Sequence, residues 1–330
     1  SDNEEAFVLQ RRKNGLDTSW VIVDDEIPAG STGYLDSGLE PETTYFYRVR
    51  SKNSAGVSNW TSEVSDTTAE QYTITYRGNG NYGGSVPSPQ NNIEHGTNVT
   101  VRNNTENLHK VATPSFYGYE SKESFKFSGW NTEEDGSGDH FEAGNGTIYI
   151  TSDVTLYAEW REYEISERGP AGGWIFYKKS SFSEGWRYLE AAPASTEWSY
   201  TEWGSYGTDI NGDNSNVAPE LTGIGEGQEN TNEIAPWVEN DEAASLCDNL
   251  SVTIAEIGIT FDDWFLPSRD EFNIMYENLH LRGFGDFTYD YYWTSSERSS
   301  ANVWSQNITT GVQDPGDKDY NLEVRAARSF

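Results

Sequence analysis

The sequence has a single cysteine, Cys247, so the chain cannot form an intramolecular disulfide. It also lacks any run of ~18 apolar residues that could cross a bilayer, and it contains no signal-peptide pattern. Scarce cysteine does not place a protein in the cytoplasm, because domains of sufficient size fold without disulfides. We therefore expect no membrane insertion in this segment, and any export signal would lie outside it.

Basic residues are scarce as well. Lysine and arginine number 22 against 54 aspartates and glutamates, which gives a net charge of −32. Residues 1–70, 71–160 and 161–330 carry net charges of −7, −6 and −19. No part offers the basic footprint that nucleic acid or an anionic membrane surface requires. The acidic excess indicates solubility in a salty medium, and cation binding is the alternative interpretation.

Aliphatic residues are few, but aromatic residues are plentiful. Hydrophobic residues make up 35% of the chain, whereas aromatic residues make up 14%, with 12 Trp and 20 Tyr. Disordered chains are poor in aromatics, and aromatic bulk can fill small β-cores. The 330 residues therefore predict a folded chain of two or three domains that is mostly β.

The first predicted domain spans residues 1–70. Residues 7–68 alternate apolar and polar side chains in short runs, which is typical of a β-sandwich. The stretch from Tyr34 to Tyr45 and the loop from Asn53 to Ser58 resemble a fibronectin type III module. The resemblance covers only the later strands, so the prediction is a partial β-sandwich. Either residues upstream or another chain would complete it, and a homo-polymer is one possible result.

The second predicted domain spans residues 71–161. Its strand signals are the alternating Tyr72–Tyr76, a Gly-Trp pair in Phe127–Asn131, and the Leu-Tyr-Ala-x-Trp motif in Val154–Trp160. This pattern is similar to the Listeria–Bacteroides repeat, a small β-grasp-like spacer of bacterial surface proteins.

The third predicted domain spans residues 162–330 and carries several separated motifs in order. These are G-P-A-G-G-W-I-F-Y at Gly169–Tyr177, D-W-F-L-P-S at Asp263–Ser268, Y-W-T-S-S-E at Tyr292–Glu297 and V-R-A-A-R-S-F at Val324–Phe330. Together they resemble the Legionella collagen-like-protein C-terminal domain family. The resemblance implies an α+β, C-type-lectin-like fold and a binding module at the bacterial surface.

Two helices are predicted in the third domain. Residues 241–250 place apolar side chains, including Cys247, on one helical face. Ser268 and Glu271 have the spacing of a capping box at the start of the second helix, and Gly283 can end it.

The arginines of the closing motif have a structural role implied by the family resemblance. Arg325 and Arg328 would form buried pairs with acids such as Asp263 or Glu271.

Two regions predict a ligand-binding surface. Residues 196–236 form a long excursion rich in Gly, Asn and aromatic residues, and long loops inside compact domains are often functional. Exposed aromatics in such loops stack on sugars or contact protein partners, although packing against the domain itself is the alternative. The second region comprises the loops between Trp293 and Asn321. The predicted ligand-binding residues are Trp198, Tyr200, Trp203, Tyr206, Arg298, Asn302 and Gln306.

One acidic loop has the spacing of calcium ligands. Oxygen-bearing side chains alternate from Asp209 onward, and a glutamate falls at position 12 of the same count. The flanks are not helical, so a helix-free calcium loop is one interpretation and a surface turn the other. The predicted calcium ligands are Asp209, Asn211, Asp213, Ser215 and Glu220.

The sequence offers no motif for catalysis. The four histidines are scattered, and none has zinc-ligand spacing. No phosphate loop or nucleophile elbow is present. We therefore predict an extracellular or cell-surface bacterial protein, not an enzyme, that binds a glycan or a surface protein. The alternatives are a structural subunit of a surface filament, sheath or layer, and a receptor diversified by a retroelement at residues 295–307.

Overall fold

The chain is described by a computed structural model that covers residues 3–15, 19–111, 123–208, 210, 221–288 and 290–330. The protein is mostly β, with 41% of residues in strands and 11% in helices, and it contains several sheets and multiple domains. Contacts between residues divide it into two compact units. Unit 1 comprises residues 1–77, 87–103 and 130–157, and unit 2 comprises residues 78–86, 104–129 and 158–330.

The N-terminal strands form one antiparallel sheet. They are β1 (Ala6–Lys13), β2 (Val21–Pro28), β3 (Thr44–Asn53), β4 (Gly56–Val57) and β5 (Val64–Thr67). The strand order is β2-β1-β3-β4, and β5 also pairs with β3.

Arginines and tryptophans stack over one face of this sheet. The Arg48 guanidinium lies 4.1 Å from the Trp20 ring centroid and 4.5 Å from that of Trp60. On the other face, the large apolar side chains of Phe7 and Leu9 are only partly buried. The described residues of this domain thus form one five-stranded sheet, and the partial sandwich stays a prediction.

The next strands form a mixed sheet and a two-stranded ladder. They are β6 (Gln71–Arg77), β7 (Gln90–Glu94), β8 (Thr97–Thr100), β9 (Lys126–Asn131), β10 (His140–Phe141), β11 (Thr147–Ile150) and β12 (Val154–Arg161). The sheet has the order β10-β9-β12-β6-β7, with β12 parallel to β6, and β11 pairs with β8. Trp130 is buried, packs edge-on against Tyr76 at 4.7 Å, and donates its indole N–H to the Arg102 carbonyl.

The described residues of the C-terminal region form an α+β arrangement with three α-helices and three sheets. The helices are α1 (Gly227–Ile234), α2 (Ala243–Asp248) and α3 (Arg269–Asn278). The strands are β13 (Trp174–Ser183), β14 (Trp186–Ala191), β15 (Trp198–Thr201), β16 (Val252–Ile254), β17 (Ile259–Phe261), β18 (Trp264–Phe265), β19 (Tyr291–Glu297), β20 (Asn302–Asn307), β21 (Gln313–Asp317), β22 (Leu322–Val324) and β23 (Ala327–Ser329). The sheet orders are β13-β14-β23-β18, β15-β22-β19-β20-β21 and β16-β17.

The helix starts and the cysteine follow the sequence patterns. Ser268 and Glu271 form a capping box at the start of α3, which confirms that prediction. Helix α2 lies within the predicted residues 241–250 but is shorter. Cys247 is buried, and burial raises the pKa of its thiol well above the usual value, so it is a core residue. The excursion at 196–236 is less irregular than predicted, since it contains β15 and α1.

The closing arginines lie in buried ion pairs. Arg328 donates from Nε and Nη2 to the two carboxylate oxygens of Asp263, each at 2.8 Å, and from Nη1 to Glu190 at 3.3 Å. Arg325 is fully buried and pairs with Glu197. The Asp263 partner confirms the prediction. Glu271 pairs with neither arginine, because its carboxylate caps α3 by accepting from the Ser268 N–H at 2.7 Å.

Candidate functional site

The four aromatic residues predicted to bind ligand do not form one surface. Tyr200 and Tyr206 are 81% and 58% exposed, respectively, whereas Trp198 is partly buried and packs against the core. Trp198 and Tyr200 lie on β15, and Tyr206 lies in the loop that follows it. The structure therefore separates exposed tyrosines from tryptophans that face inward.

Trp203 is a core residue, which corrects its prediction as a ligand contact. Its side chain is fully buried, and its indole N–H donates to the Thr294 carbonyl at 2.9 Å. The Lys318 ammonium lies 4.6 Å from the centroid of its ring. A ring in this position cannot stack on an external ligand. Its role is to support the chain segments that it contacts at Thr294 and Lys318.

Three chain segments meet at one end of the sheet with the order β15-β22-β19-β20-β21. We call them the loop cluster: residues 205–208, 298–302 and 317–320. The first follows β15, the second joins β19 to β20, and the third leads from β21 into β22. The Gly207 N–H donates to the Ser300 carbonyl at 2.9 Å, which joins the first two segments. The Lys318 N–H donates to the Ala301 carbonyl at 3.0 Å, which joins the second to the third.

Lys318 lies at the centre of the loop cluster and holds its segments together. The side chain is fully buried and pairs with the buried Glu297 carboxylate. The Lys318 ammonium also donates to the Thr208 carbonyl at 2.6 Å. The main-chain carbonyl of Lys318 accepts a hydrogen bond from the main-chain N–H of Trp203 at 3.0 Å. Because a buried ammonium requires several partners to offset its desolvation, these contacts fix the loops relative to one another.

The outer surface of the loop cluster combines aromatic, acidic and basic side chains. Tyr206 and Tyr320 are both more than half exposed, and Arg298 is exposed. The Asn302 amide donates to the Asp317 carboxylate at 2.6 Å, so both side chains are held in place. The pKa of the Tyr320 phenol is raised, mainly by the charge of Asp317 and a hydrogen bond to it, with a smaller contribution from Tyr206.

Gln306 does not belong to this surface. It is fully buried, where its amide donates to Asn273 of α3 at 3.0 Å. The run at 295–307, which the diversified-receptor alternative requires as a variable surface, is only partly accessible. Ser295, Ser296, Glu297, Val303 and Ser305 are buried. Of the predicted contacts, the structure thus brings together Tyr206, Arg298 and Asn302.

The predicted calcium ligands Asp209, Asn211, Asp213, Ser215 and Glu220 lie outside the described residues. Within the described part of the chain, no group of three or more His, Cys, Asp or Glu side chains is arranged to hold a metal ion.

Two residues of the loop cluster, Lys318 and Tyr320, are not among the ligand-binding residues predicted from the sequence. Both follow closely spaced aspartates near the C-terminus, a pattern typical of a solvated acidic loop. The single lysine within that acidic run was the available signal, since a lone cation among carboxylates can be drawn into an ion pair.

No helix in the described parts of the chain has both the length and the apolar character needed to cross a membrane.

Two curated relatives match short parts of this chain. A protein of Evansella cellulosilytica named as a Gly-rich membrane protein is 43% identical over 56 residues, 16% of this chain and 6% of the relative. A second protein of that organism, named as a membrane protein, is 49% identical over 39 residues, 12% of this chain and 6% of the relative. The chain thus spans about 6% of the length of the curated relatives it matches.

A solved structure and a family model also match. The structure is a fimbrial protein from Bacteroides ovatus, 10% identical, with a TM-score of 0.34 over 100% of this chain and 95% of that one. The family model of the Listeria-Bacteroides repeat domain matches residues 72–159. This match supports the repeat predicted at these residues from the Gly-Trp and Leu-Tyr-Ala-x-Trp motifs.

Proposed function

We propose that this chain is part of a non-catalytic bacterial protein of the cell surface or extracellular medium, and that its C-terminal, C-type-lectin-like region binds a glycan or a surface protein. The observation that carries the proposal is the loop cluster, in which a buried Lys318 holds three loops that present exposed tyrosines and polar side chains. The repeat domain and the membrane-protein names of the short matches support a surface location.

The chemistry of the loop cluster suits a neutral sugar or a polar protein surface. The rings of Tyr206 and Tyr320 offer apolar faces for stacking, and tyrosine contributes large contact area at low entropic cost. Asp317 and Asn302 can exchange hydrogen bonds with hydroxyl groups beside those rings. Anionic sugars fit poorly, because residues 161–330 carry a net charge of −19.

Two fully buried carboxyl groups with raised pKa values serve the fold. Burial raises the pKa of Glu271 to about 7, and its carboxylate accepts the Ser268 N–H of the capping box. Burial also raises the pKa of Glu190, which Arg328 and the main-chain N–H groups of Ala171 and Gly173 contact. Both side chains are fully buried, so neither faces a substrate, and this placement supports a binding function rather than catalysis.

Replacing Tyr206 with Ala is expected to weaken ligand binding by about 1–2 kcal/mol, roughly five- to thirtyfold, because an exposed aromatic contact is lost. The change should leave the fold intact, since the ring is 58% exposed. A glycan array and a panel of bacterial surface proteins would identify the ligand, and titration of the wild-type and variant chains would give the two affinities.

The matched control is Tyr149→Ala, which removes a tyrosine of similar exposure, 60%, from the repeat domain. We expect this variant to bind like the wild type. Equal affinities of the wild type and Tyr206→Ala for the ligand would show that the loop cluster is not the binding surface.

Calcium is the cofactor proposed for the loop that contains Asp209, Asp213 and Glu220. If that loop binds Ca²⁺, the chain should unfold at a higher temperature with calcium than with a chelator. At a free concentration of ~100 Kd the gain is about 2.7 kcal/mol. Scanning calorimetry with and without chelator measures it, and Asp213→Ala should abolish the difference. A melting temperature unaffected by millimolar calcium would refute calcium binding.

A structural subunit of a surface filament, sheath or layer is the second candidate function. The observation that favours it is the partly exposed apolar face of the N-terminal sheet, which carries Phe7 and Leu9, because such a face promotes association with another chain. Light scattering that rises with protein concentration would support this candidate, and a monomer at all concentrations would weaken it.

A further inference from the structure

An apolar groove crosses the N-terminal sheet on the face opposite the Trp20 and Trp60 rings. Its floor consists of side chains from β1, β2 and β3, and its volume is about 240 Å³. Phe7 and Leu9 of β1 are only partly buried there, although both are large apolar residues. Residues 31–34 form the rim.

The rim continues into an extended segment, residues 32–37, that belongs to no sheet. Its main-chain N–H and C=O groups form no hydrogen bond with another described residue. The segment is nevertheless held against the sheet, since the Asp36 carboxylate accepts from Arg11 at 2.8 Å and from Tyr47 at 2.9 Å. A fixed, extended segment with free main-chain groups is a template for an added strand.

The groove and the rim together select the shape of the occupant. The floor favours a chain with bulky apolar side chains at alternate positions, because a strand directs every second side chain to one face. The free main-chain groups of residues 32–37 require donors and acceptors spaced along a polypeptide, which a lipid or a small apolar molecule cannot supply. A β-strand meets both requirements.

The charge at the rim selects the composition of that strand. Asp24 on β2 lies beside Tyr34, and partial desolvation together with that carboxylate raises the pKa of the Tyr34 phenol. Asp25, also on β2, is exposed. These carboxylates favour a lysine or arginine on the incoming strand. The net charge of −32 disfavours a second copy of this chain, because like-charged chains repel.

We propose that this groove binds a β-strand of another polypeptide, with apolar side chains at alternate positions and a basic residue next to them, which pairs with residues 32–37 and covers Phe7 and Leu9. This interaction surface lies in unit 1 and is independent of the loop cluster in unit 2.

A synthetic peptide tests the proposal directly. The probe has about ten residues that alternate isoleucine with threonine or lysine, and fluorescence anisotropy measures its binding to the full chain. Leu9→Lys should weaken binding at least about tenfold, because it places a charge in the apolar floor. The matched control is Val57→Lys, a 56% exposed position that does not line the groove, and it should leave binding unchanged.

A second peptide distinguishes strand pairing from apolar contact, and it does not depend on the folding of any variant. Methylation of alternate main-chain nitrogens removes donors that pair with residues 32–37, so this peptide should bind at least about tenfold more weakly. Equal binding of the methylated and unmethylated peptides would overturn the proposal, as would no binding of either. Sedimentation that shows a dimer dissociated by Leu9→Lys would also overturn it, since a second copy would then fill the groove.

Discussion

Replacing Arg328 with Met is expected to destabilise the C-terminal region by about 3–5 kcal/mol, because it removes one partner of a buried ion group. Arg328 is 1% exposed and contacts both Asp263 and Glu190. Glu190, fully buried, would keep only its two main-chain donors. Native-state hydrogen exchange of the amides in β14 and β23, which pair with each other, measures the loss.

The destabilisation by Arg328→Met should also depend on pH. Burial raises the pKa of Glu190 and the Arg328 charge lowers it, so losing the arginine raises this pKa further. The folded variant then holds a proton that the unfolded chain releases near pH ~4.3. Its stability therefore falls as pH rises from that value towards the folded pKa.

A matched control for Arg328→Met is Arg282→Met. Arg282 is exposed, and its guanidinium donates to the neutral Asn278 side chain, so we expect a change of less than about 1 kcal/mol. A destabilisation by Arg328→Met as small as that of the control would show that the buried group does not support the fold.

Replacing Lys318 with Met is expected to open the loop cluster, with a local destabilisation of about 3–5 kcal/mol. The change leaves the Glu297 carboxylate buried without its cation and frees the Thr208 carbonyl. Hydrogen exchange of the Gly207 amide, which donates to Ser300, reports whether the segments stay joined. Asp319→Ala, at an exposed neighbour, should leave this exchange unchanged.

The double variant Lys318→Met with Glu297→Leu separates the effect of an unpaired buried carboxylate from the effect of the changed side-chain shape. Because it removes both members of the buried pair, we expect it to recover most of the stability lost in Lys318→Met. If Lys318→Met alone keeps wild-type protection at Gly207, the lysine does not hold the loops.

Local patterns in the sequence predicted local structure well. The Ser268 and Glu271 spacing identified the start of α3, because a capping box involves residues three positions apart. The apolar face around Cys247 identified a buried helix for the same reason. Motifs that carry a whole domain were equally informative at residues 72–159, where the family model agrees.

Contacts between distant segments were not predictable in the same way. Trp203 lies in a loop-rich stretch, and its burial depends on Thr294 and Lys318, each more than 90 residues away. Neither helical nor strand periodicity in a sequence indicates contacts between residues so far apart. The prediction of Gln306 as a ligand contact was wrong for a related reason. Its partner Asn273 lies on α3, and polar side chains are usually expected at the surface.

For Arg328, a motif predicted a buried ion pair that periodicity alone could not indicate. Its pairing with Asp263 spans 65 residues, and the prediction came from two motifs that resemble those of one family rather than from spacing. The same motifs also suggested Glu271, which caps a helix instead. Motifs therefore indicated which residues are buried and charged, but only the structure assigns their partners.

The most direct test of a ligand-binding loop cluster is hydrogen exchange of the full chain with and without the tightest-binding glycan or surface protein. We expect ligand to slow exchange in residues 205–208, 298–302 and 317–320, and to leave Tyr200 and the repeat domain unchanged. Slower exchange confined to residues outside these three segments would contradict the account.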